Sequence, residues 1–481
     1  MPSLREAQFR HAKYYADLLQ AADAAYMSGD AGVINGLSIF EQNKDNIYFG
    51  QAWAMRQARQ DETAAALCAY YANVGANLLN LCQHPREQIR WLEPALAAAR
   101  QLKARVAEST HLGNLGMAYA ALDQNERGIE YFEQSLQIAR EEGMPEVESA
   151  ALGNLGTAYR NLGDCVRALS FYEQQLKVSR QNDNQRGEAH ALGNIGIAYY
   201  ELGDARRAIE FFEQDAEILR EIGDRRGEGA ALGNLGITYY VLGEARRALK
   251  YHEDALVIAR EIGDRRGAAQ DISNMAMAYA ALGELGRGIE LWEQTLPIFL
   301  DLGDRRGESN VLSNLGLAYS RLSQHERAIE YHKLALTIDR EIGDRRAEGR
   351  DLGNLGLTYS NAGEPDHAID FYEQQLTISR EVNDRRGEGT TLGNLGLAHY
   401  LLGNYALAMD YNGQSLLISH EAGDLRGEAL TLLNASLTVE KLGDRPRAVS
   451  FAERSLNILR DIEDPHAQSL QKHLDDLRRQ S

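Results

Sequence analysis

The sequence predicts an all-α solenoid of antiparallel helix pairs, and three observations carry that prediction. An asparagine set in Leu-Gly-Asn-Leu-Gly or a close variant returns at Asn114, Asn154, Asn194, Asn234, Asn274, Asn314, Asn354, Asn394 and Asn434, always 40 residues apart. Each period holds two stretches with apolar residues at helical spacing. A glycine followed by an acid, such as Gly203-Asp204 and Gly223-Asp224, closes most of these stretches and supplies both a helix stop and the next helix cap. A fixed period of about 20 to 50 residues marks an architecture in which each unit buries its apolar face against its neighbours. Function is therefore expected on a long repeated surface, not in one enclosed pocket.

Composition narrows the function classes. A chain of 481 residues would ordinarily make about three globular domains, but a solenoid grows by addition. With 44% apolar and 25% charged residues, the chain has the balance of a soluble folded protein. Its net charge of −19 and pI near 5.2 repel phosphate backbones and anionic bilayers, so neither nucleic acid nor membrane is an expected partner. Cys68, Cys82 and Cys165 contain no CxxC pair and are odd in number, which suits a reducing cytoplasm and no zinc. Neither an export signal at Met-Pro-Ser-Leu-Arg-Glu nor a run of 18 apolar residues is found, so a cytoplasmic location is expected.

Taken in order, residues 1–64 form a helical segment outside the period. Phe9, Tyr14, Leu18 and Leu19 mark a first helix, and Met27, Ser28, Gly29 and Asp30 its stop. A helical pair is expected from about 31 to 59, Leu37 and Phe40 marking one half and Phe49 and Trp53 the other. Residues 65–104 read as a degenerate first repeat. Asn73, Val74, Gly75 and Leu81 belong to its first helix and Trp91, Leu96 and Ala99 to its second, with Pro94 in a helix interior.

Nine regular units occupy 105–464. In the unit at 185–224, helix A carries Leu192, Ile195, Tyr199 and Leu202 on one face, and helix B carries Ala208, Phe212 and Leu219 with Ile209 and Ala216 beside them. Gly196 costs roughly 1 kcal/mol in a helix interior relative to alanine. Gly116, Gly156, Gly236, Ala276, Gly316, Gly356, Gly396 and Ser436 keep that position small, which predicts close helix packing. Residues 465–481 read as a capping helix beginning at Pro465.

The order Leu192, Ile195, Gly196, Tyr199, Gly203, Ala208, Phe212 resembles the tetratricopeptide repeat lengthened by six residues, the 40-residue variety of kinesin light chains and the Pins/LGN spindle-orientation proteins. That resemblance implies a right-handed superhelix whose A helices line a concave groove. A second resemblance rests on Glu41, Asp45, Asn46, Ile47, Ala52 and Trp53 with Trp91, Leu92, Glu93 and Ala95. These look like the helical segment after the nucleotide-binding module of bacterial STAND (NB-ARC type) ATPases, whose repeat tails sense a ligand. The resemblance implies a signalling sensor tail with an upstream NTPase domain as partner. The phosphate loop G-x-x-x-x-G-K-[ST] is lacking, so ATP binding does not carry over.

The resemblance points the asparagine ladder, Asn114 through Asn434, into the groove. A carboxamide both donates and accepts, so a row of them can bind the backbone of an extended protein or peptide segment. The alternative is that each asparagine bonds to a neighbouring repeat's backbone and only satisfies the stack. Specificity is expected where repeats differ. Six residues after the asparagine stand Ala120, Arg160, Tyr200, Tyr240, Ala280, Ser320, Ser360, Tyr400 and Glu440; four before it, His190, Gln270, Asn310 and Arg350. Arg160, Tyr200, Tyr240, Arg350 and Tyr400 are of types that dominate interface energetics.

A second ladder, Arg186, Arg226, Arg266, Arg306, Arg346, Arg386 and Arg426, reads either as a receptor for an acidic partner or, more simply, as ion pairs with glutamates such as Glu228. Glu133, Glu173 and Glu373 read as a solvated helix face. Pro297 is expected to kink its helix or to be absorbed near the helix end. Among the 12 histidines none has metal-ligand spacing, and no nucleophile elbow is present. The expected function is ligand binding without catalysis, metal or cofactor. The alternative is a static scaffold or self-assembly module using the convex face or the ends.

Overall fold

Asp204 and Asp224 begin helices as expected: each side chain accepts from the backbone N–H three residues on, Arg207 at 3.1 Å and Gly227 at 2.9 Å. The same capping recurs along the chain in a computed structural model, which describes residues 3–28 and 31–479. Among these residues there are twenty-four helices and no strand. The backbone divides into two compact units, residues 1–258 and 259–481.

In the first unit, α1 (Leu4–Met27) and α2 (Ala31–Gln57) pack on α3 (Glu62–Val74), α4 (Ala76–Cys82) and α5 (Pro85–Gln101). The expected pair at 31–59 is one continuous helix. Phe40, Ile47 and Ala54, seven residues apart, are fully buried, so one stripe runs through both halves and nothing interrupts it. Ser28 caps α1 by donating to the Ala25 carbonyl at 2.7 Å, while Gly29 and Asp30 of the expected stop lie outside the described residues. Tyr14 is exposed; the buried stripe of α1 is Ala12, Ala16, Leu19 and Ala22. Polar groups tie the block internally. Tyr71 donates to the Ala12 carbonyl, and Asp23 accepts from the Leu78 N–H at 2.7 Å and from Asn77 at 3.0 Å. The first helix of the degenerate repeat is broken at Gly75, where the Leu19 side chain lies within 2.7 Å of any added Cβ. Pro94 sits inside α5, which continues to Gln101.

The regular pairs follow as α6 (Arg105–Ala120), α7 (Asn125–Glu141), α8 (Pro145–Asn161), α9 (Cys165–Gln181), α10 (Gln185–Glu201), α11 (Ala205–Glu221), α12 (Arg225–Val241) and α13 (Ala245–Glu261). They continue as α14 (Arg265–Ala281), α15 (Leu285–Asp301), α16 (Arg305–Arg321), α17 (His325–Ile342), α18 (Arg345–Asn361), α19 (Pro365–Glu381), α20 (Arg385–Leu401), α21 (Tyr405–Glu421), α22 (Leu425–Lys441) and α23 (Arg445–Asp461). The closing helix is α24 (His466–Arg479), which starts one residue after Pro465 and buries Leu470, Leu474 and Leu477. Pro297 is accommodated within α15.

Every twentieth residue from 103 to 463 has a positive φ and turns one helix into the next. Thirteen of these are glycines, such as Gly203 at 83°, and six are not: Lys103, Asp123, Asp183, Ser323, Asn383 and Glu463. In the unit at 185–224, Leu192, Ile195, Ala208, Ile209, Phe212, Ala216 and Leu219 are buried, whereas Leu202 is exposed. Leu202 is the C-cap of α10, so its side chain has left the helical face. The small position packs as expected: a Cβ on Gly196 would come within 2.6 Å of the Phe212 ring, and one on Gly356 within 2.5 Å of Tyr372. Tyr199 stacks on Phe211 at 5.5 Å between centroids, with the Arg207 guanidinium 5.3 Å from the Tyr199 ring.

Ion pairs bind successive helices. Glu228 is held by Arg220 at 2.8 Å and Arg225 at 2.6 Å. In the second unit Glu388 is held by Arg380 at 2.8 Å and Arg385 at 2.7 Å. Burial would raise the Glu388 carboxyl, but these two arginines more than offset it and hold it below the usual range.

Candidate ligand-binding face

The ladder asparagines lie in the middle of the A helices, where Asn274 is buried and the other eight are half-buried. Their carboxamides do not bond to the backbone of a neighbouring repeat. Asn274 accepts from Gln270 at 3.3 Å, and Asn354 donates to Ser313 and Asp351, each at 3.3 Å. Among the described residues, the side chains of Asn114, Asn154, Asn194, Asn234, Asn314, Asn394 and Asn434 have no hydrogen-bond partner in the chain, although Asn234 and Asn434 lend their backbone carbonyls to Thr238 and Thr438. Seven carboxamides thus keep donor and acceptor groups on the A-helix faces, while Asn354 also links its repeat to the preceding one through Ser313.

Three residues after each asparagine, on the next turn of that face, runs a row that the periodicity alone did not single out. It consists of Met117, Thr157, Ile197, Ile237, Met277, Leu317, Leu357, Leu397 and Leu437. None of the nine is buried; Met117 is 40% exposed and Leu357 44%. The signal was available, because an apolar type repeats there, but an apolar residue at helical spacing reads first as core. Amide and apolar rows together form a strip that can satisfy a ligand's backbone and bury its side chains.

The positions expected to choose the ligand fall into different settings. Tyr200, Tyr240 and Tyr400 are half-buried at the last turn of their helices, and the Tyr400 ring lies 5.8 Å from that of Tyr405. Arg160 is committed within the structure: its guanidinium bonds to Glu201 of the following A helix at 3.0 Å, and its Nε is buried. Arg350 is exposed and reaches back to Asn310 at 3.1 Å, so residues four before the ladder in successive repeats meet on one face. A cleft of about 520 Å³ is lined by Arg346, Gly349, Arg350, Gln375, Asp384 and Arg385. A second, of about 200 Å³, brings Asn394 and Asn434 together with Arg386, Thr390, Asp424 and Arg426.

Four of the seven arginines of the second ladder form ion pairs, with aspartate and not with glutamate. Arg266 bonds to Asp304 at 2.6 Å, Arg306 to Asp344 at 3.0 Å, Arg386 to Asp424 at 3.4 Å and Arg426 to Asp464 at 2.8 Å. The capping aspartate of the next repeat, not a glutamate of its own, lies within reach. Glu228, Glu348 and Glu388 are each already held by the arginines three and eight residues before them. Among the described residues no group of three or more His, Cys, Asp or Glu side chains is placed to hold a metal. No described helix is long and apolar enough to cross a membrane.

Within each unit, helix pairs of similar length pack on their neighbours and repeat the same amide-and-apolar face, which defines a helical-repeat protein of the solenoid class. The tetratricopeptide repeat pattern matches residues 106–181, 147–221, 188–261, 267–341, 351–419 and 387–461. With well over half of its length matched, the chain belongs to the tetratricopeptide repeat family.

Solved structures share the fold. The STAND protein with a tetratricopeptide repeat sensor from Pyrococcus horikoshii is 14% identical, with a TM-score of 0.53 over 87% of this chain and 65% of that one. The apo form of the quorum sensor NprR from B. thuringiensis is 17% identical, with a TM-score of 0.52 over 72% of this chain and 96% of that one. Aspartyl phosphate phosphatase F from Bacillus subtilis is 12% identical, with a TM-score of 0.51 over 68% of this chain and 93% of that one. At these identities the likeness is one of fold. No curated protein is similar in sequence to the chain.

Proposed function

We propose that this chain binds a protein or peptide ligand, holding an extended segment along the A-helix face, and that it serves as the ligand-sensing C-terminal part of a STAND-type signalling ATPase. The observation that carries the binding reading is the row of seven ladder carboxamides without a hydrogen-bond partner among the described residues, beside a mostly apolar row none of whose members is fully buried. Half-buried carboxamides without a partner in the chain keep both a donor and an acceptor available, and an extended backbone laid along the strip can pair with both. Tyr200, Tyr240, Tyr400 and Arg350 then choose among ligands, while Arg160 acts mainly by holding Glu201. The sensor-tail reading is supported by the resemblance of the first hundred residues to the STAND linker and by a shared fold over 87% of the chain.

The test is affinity capture from host lysate, comparing the natural chain with a variant carrying Asn194→Ala, Asn234→Ala, Tyr200→Ala and Tyr240→Ala, shown to be folded by its helical circular dichroism. A partner retained by the natural chain and lost by the variant is expected. Retention of the same partners by both proteins would instead place the interaction on the convex face or the ends, as in a scaffold.

A further inference from the structure

One junction in the second unit buries two acids and an imidazole together. Asp339 of α17 and Asp351 of α18 are both fully buried, as is His332 of α17. One oxygen of each carboxyl has a donor: Ser309 bonds to Asp339 Oδ1, while Ser313 and the Asn354 amide bond to Asp351 Oδ1. The second oxygen, Oδ2, of each is buried without a partner. Ser309 and Ser313 stand one turn apart on α16, so the two carboxyls they hold are neighbours, and Asp339 acts on Asp351 as a hydrogen-bonding side chain; one added proton, donated by one carboxyl and accepted by the other, satisfies both orphaned oxygens.

We propose that Asp339 and Asp351 hold a single proton between them at neutral pH, bonded from one Oδ2 to the other, and that this proton locks α17 to α18 beneath Asn354. The surrounding groups favour it. Burial pushes the Asp351 carboxyl up to about 7, with Ser313 acting against the rise and Asp339 adding to it. His332 supplies no countercharge: its Nδ1 is 4.0 Å from Asp351 Oδ1, and burial pushes the imidazole down to about 4. The remaining neighbours are the hydroxyls of Ser309 and Ser313 on α16, the neutral Gln375 on α19, which lies against Gly353, and Arg350 on α18, which acts weakly against the rise. Asn354 connects the pair to the A-helix face. The proposal needs no ligand and stands or falls apart from the proposed function.

Carboxyl-carbon NMR of the full chain labelled in aspartate tests it directly. One resonance of the pair is expected to titrate near neutral pH. Two carboxyls fully ionised from pH 5 to 8 would overturn the proposal. The variant Asp339→Asn replaces the proton with an amide donor and leaves Asp351 a bonded anion. Hydrogen exchange in α16 to α18, corrected for intrinsic rates, then compares the two proteins, so that the His332 contribution cancels. The natural chain's protection relative to D339N should fall by up to about tenfold per pH unit as pH rises between 5 and 7. A ratio independent of pH would also overturn it. D351N gives the reciprocal comparison should D339N fold poorly, and the NMR titration requires neither variant.

Discussion

The junction of α10 with α11 and that of α16 with α17 occupy the same place in the repeat and are built from different chemistry. In the first, Gly196 admits the Phe212 ring; in the second, Gly316 admits the His332 imidazole, whose two nitrogens are buried without partners. The polar burden is also distributed differently. Helix α11 buries Asp215 where the later repeats have Ala255 and Ala335, whereas α17 and α18 bury Asp339 and Asp351 together. The backbone period thus tolerates apolar and titratable side chains alike, provided the small residue opposite is kept. Stability and its pH dependence are set by what fills the space.

The largest effect expected from this contrast is at the apolar junction. Phe212→Ala should destabilise the repeats around α10 and α11 by about 3–5 kcal/mol, measured as lost hydrogen-exchange protection. A loss below 1 kcal/mol would mean that Phe212 is not the keystone of its junction.

Next come two substitutions whose pH dependences run in opposite directions. Burial holds His332 near 4 in the folded protein against 6.5 unfolded, so stability is lost as pH falls from about 6.5 to 4. His332→Phe should remove that loss and gain on the order of 1–3 kcal/mol, most at the acid end. Burial, with Asp224 nearby, raises the Asp215 carboxyl to about 7 from 3.8, so that stability is lost as pH rises between those values. Asp215→Ala should stabilise by a similar amount, most at and above pH 7. Denaturant titrations across pH 4 to 8 check both; gains that do not vary with pH would refute the electrostatic account.

The smallest effect concerns the turns. Lys103→Gly removes a left-handed non-glycine residue with φ of 55° and should stabilise by about 1 kcal/mol, whereas Gly203→Ala should cost about the same. Thermal unfolding of the two variants would show shifts of opposite sign.

Much of this was legible before any coordinates. Asp204, Gly203, Gly196 and Phe212 announced cap, turn, close contact and core, because each responds to neighbours within one repeat, and a local rule applied at a 40-residue spacing is easily read. The second half of α2 was misread because Phe49 stood for a stripe that Phe40, Ile47 and Ala54 form. Leu202 was misplaced by one turn, at the point where the helix ends.

What the sequence by itself determined is the number, length and order of the repeated helices and the positions on which they close, since those follow from propensity, capping and periodicity. The tertiary structure alone decided which polar side chains find partners. Arg160 meets Glu201, Arg266 meets Asp304 and Asp351 meets Asp339 across 12 to 41 residues of chain, while seven ladder asparagines, at the same place in the repeat as Asn354, meet none among the described residues. Pairing of that kind depends on distances between helices of a few ångströms, and no spacing along one chain encodes them.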